Sequence, residues 1–332
     1  MKEFESLKIS TQTVIADSGL TMEIDRCFGE IPVEIGEVVV VKEEESSSAS
    51  DNGGGGKKKK KAKEVNKEPS IVNRDQVDWR EWIPKVRCRA MYYKNDLKLD
   101  PSFELKKRDR YFRNALNVVL SLDDKCINFK LSKNGKFQLT GCKFLWHAQA
   151  SVIAFLLMIR KYCPGMIPMD SIRIAFQTVM TNMDFNIGHT INRQNLDVLI
   201  NESTPYYSLL ETSFGYTGVN VKFPIPEEWW KILEIPLVTM TWKDSDEYSE
   251  VVEEMVIYDT LLNTADRQRL SSAKKKFNTF LVFHSGNIIM SGMNPQLMKP
   301  DYQEFTGLLT GWTEKIREQL KQQSSSTKCL TV

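Results

Sequence analysis

The feature that most constrains this 332-residue chain is that it resembles itself. Ile9-Ser-Thr-Gln-Thr-Val-Ile-Ala is matched by Ile174-Ala-Phe-Gln-Thr-Val-Met-Thr, so that Gln12, Thr13 and Val14 recur 165 positions later as Gln177, Thr178 and Val179. A second pair, Gly135-Lys-Phe-Gln-Leu-Thr-Gly-Cys and Gly286-Asn-Ile-Ile-Met-Ser-Gly-Met, recurs after 151 positions. Two copies of one supersecondary unit are expected, with insertions of unequal length between the matched segments.

Within each unit, periodicity predicts the same order of elements. A strand comes first, then a short helical stretch, at 21–28 in the first unit and at 190–203 in the second with Thr190 as N-cap. Three strands follow, near 87–94, 127–132 and 136–140, and near 216–223, 280–284 and 287–291. The last two of each set join tightly around Gly135 or Gly286, as a hairpin requires. A longer helix closes each unit, at 144–162 and 300–320. This order implies an α+β fold, one antiparallel sheet with helices on one face and the other face open. The expected division is a first repeat over 1–165, a second over 166–321 and a polar tail over 322–332. Insertions are expected at about 43–68, 95–125 and 225–276. The first of these runs through serines, Gly53 to Gly56 and Lys57 to Lys61, and cannot bury enough apolar surface to fold. Its lysine run reads either as a solvated tract or as a nuclear-localisation or DNA-binding patch.

The formal charge of +2 hides a segregation, because residues 227–259 carry ten acids against two lysines, a net of −8 that leaves +10 elsewhere. The six cysteines (Cys27, Cys88, Cys126, Cys142, Cys163, Cys329) show no paired spacing, and His147, His189 and His284 do not cluster with them. No zinc or other metal site is expected, and the thiols suit a reducing intracellular compartment. The most apolar stretch, from Phe144 to Tyr162, is broken by His147, Gln149 and Ser151 and reads as a buried helix, not a membrane span. The terminal Cys329-Leu-Thr-Val is a poor lipidation box. No phosphate loop, nucleophile constellation or cofactor motif is present, so neither catalysis nor a cofactor is expected.

The segment Phe280-Leu-Val-Phe-His-Ser-Gly-Asn-Ile-Ile-Met-Ser-Gly resembles the signature hairpin of the TATA-box-binding protein family, an apolar strand, Phe-x-Ser-Gly, a second apolar strand, then Thr-Gly. Segments carrying the likeness cover about half the chain. Weak identity elsewhere makes it similar to divergent members encoded by large DNA viruses. The resemblance implies a saddle, two pseudo-symmetric repeats forming one curved antiparallel sheet with helices on the convex side. It further implies a monomer that binds AT-rich, TATA-like promoter DNA in the minor groove and bends it to nucleate preinitiation-complex assembly. The partners would be a transcription factor B-like protein and the RNA polymerase machinery. The expected location is the host nucleus or a cytoplasmic viral factory, with packaging in the virion also open.

Pleat alternation assigns each strand residue to a face. In the second repeat Phe280, Val282, Ile288 and Met290 point to the helices, as do Val219, Val221 and Phe223. Leu281, Phe283, Ile289 and Ser291 then fall on the open face beside Tyr216, Gly218, Asn220 and Lys222. By resemblance, Phe283 and Tyr216 are apolar wedges for base steps, and Gln177 replaces an asparagine that reads the groove. Val179, Leu281 and Ile289 press on sugar and base edges, and Lys222 meets phosphate. In the first repeat Asn128, Lys130 and Ser132 take the outward positions. The adjoining strand offers Arg87 and Arg89, while Gln12, Val14, Gln138 and Thr140 complete a polar surface. An asymmetric saddle is predicted. Trp229, Trp230 and Trp242 lie in an acidic insertion expected to interrupt the family's C-terminal stirrup loop, where they form a satellite core or a docking site. Trp146, Ile153 and Leu157 exceed what one helix face needs, and pack under an insertion or receive a partner. A scaffold that kept the saddle but lost TATA specificity, acting through protein partners or non-specific DNA, is the alternative reading.

Overall fold

The protein is described by a computed structural model that covers residues 2–33, 77–104, 114–122, 125–168, 170–211, 218–242, 248–271 and 275–318. The stretch at 43–68, the tail at 322–332 and Tyr216 lie outside the described residues.

The first half runs β1 (Lys8–Asp17), α1 (Ile24–Glu30), a 3-10 segment (Trp79–Lys85), β2 (Arg87–Tyr93), β3 (Asp96–Leu99), β4 (Leu116–Leu122), β5 (Lys125–Leu131), β6 (Lys136–Cys142) and α2 (Leu145–Tyr162). The second runs β7 (Ser171–Asn186), α3 (Arg193–Ser203), β8 (Tyr207–Glu211), β9 (Gly218–Pro224), α4 (Glu227–Lys231), β10 (Glu234–Trp242) and β11 (Tyr248–Ile257). It continues through α5 (Thr264–Ser271), β12 (Phe277–Phe283), β13 (Asn287–Gly292), α6 (Pro295–Gly311) and α7 (Thr313–Ile316). The described strands form one antiparallel sheet in the order β3-β2-β4-β5-β6-β1-β7-β13-β12-β9-β8, with β10 and β11 added beside the first part of β7. The long helices pack on one face, α2 over the first half and α3 and α6 over the second. The result is an α+β fold, one large antiparallel sheet with its long helices on one face and the other face open.

Alternation places the core. In β12, Phe280 and Val282 are fully buried while Thr279, Leu281 and Phe283 are half-exposed. Phe280 stacks on Phe305 of α6 at 4.1 Å between centroids. In the first half, Phe129, Phe137 and Phe155 meet edge-on or tilted. Of the surplus apolar positions of α2, Trp146 is met by the 3-10 segment, whose Trp82 lies 5.1 Å from it between ring centroids.

Several expectations are corrected. Among the described residues the first half holds two strands more than periodicity predicted, β3 and β4, and the second holds three, β8 and the β10–β11 pair. β4 falls inside the segment read as an insertion at 95–125, and β8 follows α3. The N-cap of α3 is Asn192, whose side chain accepts from the Asn195 N–H at 3.0 Å, and not Thr190. The closing helix of the second half starts at Pro295 behind Asn294, so Pro300 lies inside it.

The repeat register is also different. Asp17 opposes Lys136 as Asn186 opposes Asn287. Gly19 and Gly188, both at positive φ, then correspond at 169 positions apart. A side chain at Gly135 would collide with the Leu20 carbonyl, and one at Gly286 with the His189 carbonyl, the equivalent atom. The triplet Gln-Thr-Val at 12–14 and 177–179 is therefore a coincidence. Bulges near Ser10 and Val179, equivalent places in the two copies, reverse the alternation along β1 and β7. Under the true register Gln12 is equivalent to Thr181, the residue it faces, so the pseudo-twofold axis passes through that pair.

Candidate nucleic-acid interface

The open face of the second half is a grid of cross-strand neighbours. One row runs Leu209, Asn220, Leu281 and Ile289 across β8, β9, β12 and β13. The next runs Tyr207, Lys222, Thr279 and Ser291, and continues to Asn182 of β7. Phe283 lies at the end of the sheet opposite Gly218. A side chain at Gly218 would run into Leu281, so the small residue keeps that corner shallow. Tyr207 and Leu209 are exposed, and Leu281, Phe283, Ile289, Ser291 and Lys222 are half-exposed. Apolar side chains presented on one face with polar residues between them make this a candidate interaction surface. Tyr207 and Leu209 were missed by sequence reasoning. Their signal was the short β-prone run after Pro205, in which Ser208 turns inward to donate to Asp197 Oδ1 at 2.6 Å.

The first half offers little of this. The strand beside β5 is β4, not β2, and Asn117 sits where the second half has Asn220. Arg89 lies one strand further out and is engaged, donating to Ser121 Oγ at 2.8 Å and to Asp100 Oδ2 at 2.6 Å. The Asp100 carboxyl is held down at about 2 by the Ser102 hydroxyl and N–H, with Arg89 adding to them. Arg87 turns back to the carbonyls of Pro84 and Val86. Both arginines thus serve the fold, and Phe103 covers Ala90, Tyr92 and Val119 on the same face. Gln138 and Thr140 stand exposed on it, as expected.

Along the central strands two further assignments change. Val14 is fully buried in the first-half core, and Gln12, only 6% exposed, faces the helix side. The bulges put them there. Gln177 does face the open side, but it is buried under the insertion between β9 and β12. That insertion leaves from the Pro224 end of β9, at the opposite end of the strand pair from Phe283, so it does not interrupt the chain between β8 and β9. Its β10–β11 hairpin extends the sheet. Val238 and Met240 join the first-half core, and Trp242 receives the Arg160 guanidinium at 4.1 Å. Trp229 is exposed, and the Trp230 side chain is outside the described residues.

The insertion then crosses the open face. Tyr258 packs, with Ala175 and Val256, against the cluster of Leu233, Ile235 and Met293, donates its N–H to the Leu233 carbonyl at 2.9 Å, and its hydroxyl contacts the Gln177 side chain. Burial raises the Tyr258 pKa. Asp266 of α5 is near Lys136, whose ammonium pairs with Asp17 at 3.1 Å. Burial opposes the charge of Lys136, and the Asp17 pair more than offsets it. Val179 sits in the β7 bulge, half-exposed beside the exposed Met180. Among the described residues no group of His, Cys, Asp and Glu could hold a metal ion, and no helix is long and apolar enough to cross a membrane.

No protein-family model matches the chain. An uncharacterised protein, 335L of Invertebrate iridescent virus 6, is 26% identical over 209 residues, 60% of this chain. The chain spans 61% of that protein's length. Among solved structures, Methanococcus jannaschii TBP superposes with a TM-score of 0.41 at 10% identity, covering 92% of this chain and 99% of its own.

Proposed function

We propose that the protein is a DNA-binding transcription initiation factor that seats an AT-rich minor groove against the open face of its second half and kinks the duplex there. The observation that carries the reading is the half-exposed apolar grid of Leu209, Leu281, Phe283 and Ile289, interleaved with Asn220, Lys222 and Ser291. Apolar side chains presented on a rigid sheet unstack a base step and press on sugars, while the polar atoms between them meet groove acceptors and phosphates. Phe283, at the end of the sheet, is the wedge; Tyr216, the second wedge by resemblance, lies outside the described residues. The role is recognition without catalysis. Its partners in this reading are a transcription factor B-like protein and the polymerase machinery, in a host nucleus or a viral factory.

The covered first half favours one alternative, a saddle that works as a scaffold through protein partners or non-specific DNA. Binding and bending of AT-rich and GC-rich duplexes, measured for the wild type and for Leu281→Ala/Phe283→Ala, separate the two. The initiation-factor reading expects a preference for AT-rich DNA. It also expects the double variant to lose bending and about 100-fold in affinity, from roughly 1 to 2 kcal/mol for each apolar side chain no longer buried. Equal affinity for both duplexes, or bending unaltered in a variant that melts like the wild type, rejects it.

A further inference from the structure

On the helix side, the pseudo-twofold axis opens into a cavity of about 900 Å³. Its walls come in equivalent pairs from the two halves, Ile9 with Thr178 and the residues preceding α2, Lys143 and Phe144, with Asn294 and Pro295. The closing helices start beside the axis and pack over different halves of the sheet, with the gap between their starts. Segments without a counterpart in the other half complete it. Trp79 and Arg80 come from the 3-10 segment, and Ile235, Glu253 and Met255 from the β10–β11 hairpin.

The floor holds Gln12, only 6% exposed. Its Nε2 reaches Thr181 Oγ1 at 3.4 Å, and its Oε1 is buried with no hydrogen-bond donor. An acceptor so placed is satisfied when a guest brings an N–H. The wall adds Glu253, which already accepts from Trp79 Nε1 at 2.9 Å and Gln149 Nε2 at 3.0 Å and retains acceptor capacity. Around these acceptors stand the rings of Trp79, Trp146, Phe144 and Phe176. The nearby cation Arg80 is already held by Asp78 and the Val251 carbonyl.

We propose that this cavity receives an arginine side chain of a partner protein. A guanidinium is planar, carries five donors in a fixed fork and stacks on aromatic faces, so one group serves Gln12 Oε1 and Glu253 while lying against an indole. A phosphate or carboxylate would bring no donor to Gln12 Oε1. The volume exceeds that of one side chain, which leaves room for flanking residues of a peptide segment. The site lies on the face opposite the apolar grid, so it stays accessible whatever the open face holds. The inference does not rest on DNA binding.

The test is a titration with three capped tripeptides, Gly-Arg-Gly, Gly-Lys-Gly and the neutral isostere Gly-citrulline-Gly, followed through the indole NMR signals of Trp79 and Trp146. The arginine peptide is expected to saturate and to bind about tenfold more tightly than citrulline, with lysine between them. Gln12→Leu and Glu253→Gln should each weaken arginine binding several-fold. Gln138→Ala on the opposite face should not. Glu253 is exposed, so its variant keeps the test meaningful even where Gln12→Leu disturbs the fold. Equal binding of arginine and citrulline, no saturation, or indifference to Glu253→Gln overturns the proposal.

Discussion

At matching places on the open face the second half carries Leu281, Phe283 and Ile289 where the first carries Lys130, Ser132 and Gln138. The helix sides of the same strands do not diverge in this way, since Phe280, Val282 and Ile288 are answered by Phe129, Leu131 and Phe137, all buried. Packing against helices holds one face of each strand apolar, and nothing internal constrains the other. The contrast teaches that the open face is where the two copies were free to differ. One became an apolar grid, and the other was partly given over to internal contacts through Phe103, Asp100 and the segment around Tyr258.

The largest expected effect on this contrast comes from uncovering the centre. Tyr258→Ala removes the side chain that shares the Leu233, Ile235 and Met293 cluster with Ala175 and contacts Gln177. In the DNA-binding reading it is expected to raise affinity for an AT-rich duplex about tenfold, roughly 1.4 kcal/mol, by removing a group that DNA would otherwise displace. Fluorescence anisotropy at fixed salt measures it. A fall in affinity would mean that the segment grips DNA instead of excluding it, and the asymmetry would have to be redrawn as two binding ends.

A smaller change sharpens the first half. Arg89→Ala loses hydrogen bonds to Ser121 and Asp100, and is expected to cost about 1 kcal/mol, a fall in Tm of roughly 2 to 3 °C. DNA affinity should stay within twofold of the wild type. A loss of DNA binding without a change in Tm would return Arg89 to the interface from which its ion pair removes it.

How far the sequence could carry these assignments depends on where alternation holds. Along β9, β12 and β13 every residue from Val219 to Phe223, Phe280 to Phe283 and Ile288 to Ser291 faces the side that period-two reading assigns. Along β1 and β7 it fails, because a bulge adds a residue to one strand and turns every later side chain over. Val14 and Gln12 were misplaced for that reason. β4 was lost because the segment around it was read as one insertion, and without β4 the strand carrying Arg87 and Arg89 was set beside β5. The crossing of Tyr258 onto Gln177 had no local signal. It joins residues 81 positions apart through tertiary packing alone.

The smallest expected effect lies where the closing helices begin. α6 is capped by Asn294, whose side chain accepts from the Gln296 N–H at 2.7 Å. The equivalent place before α2 is Lys143, followed by Phe144, and neither side chain supplies an oxygen. There His147 reaches back instead, its Nδ1 accepting from the N–H groups of Lys143 and Phe144 at 3.1 and 3.3 Å. Only the neutral ring can accept. Burial, with Lys125 and Lys143 nearby, lowers its pKa to about 3. A histidine whose folded pKa is depressed below the unfolded value of about 6.5 contributes its full stability above that value and loses it as the pH falls toward 3. The loss should be on the order of 0.5 to 1 kcal/mol at pH 6. Because α6 carries an amide cap that does not titrate in this range, amide exchange at the start of α2 should accelerate between pH 7 and 5.5, after correction for intrinsic rates, while the start of α6 stays protected. His147→Asn should flatten that difference, and equal acceleration at both helices would show that the two caps are not distinguished by protonation.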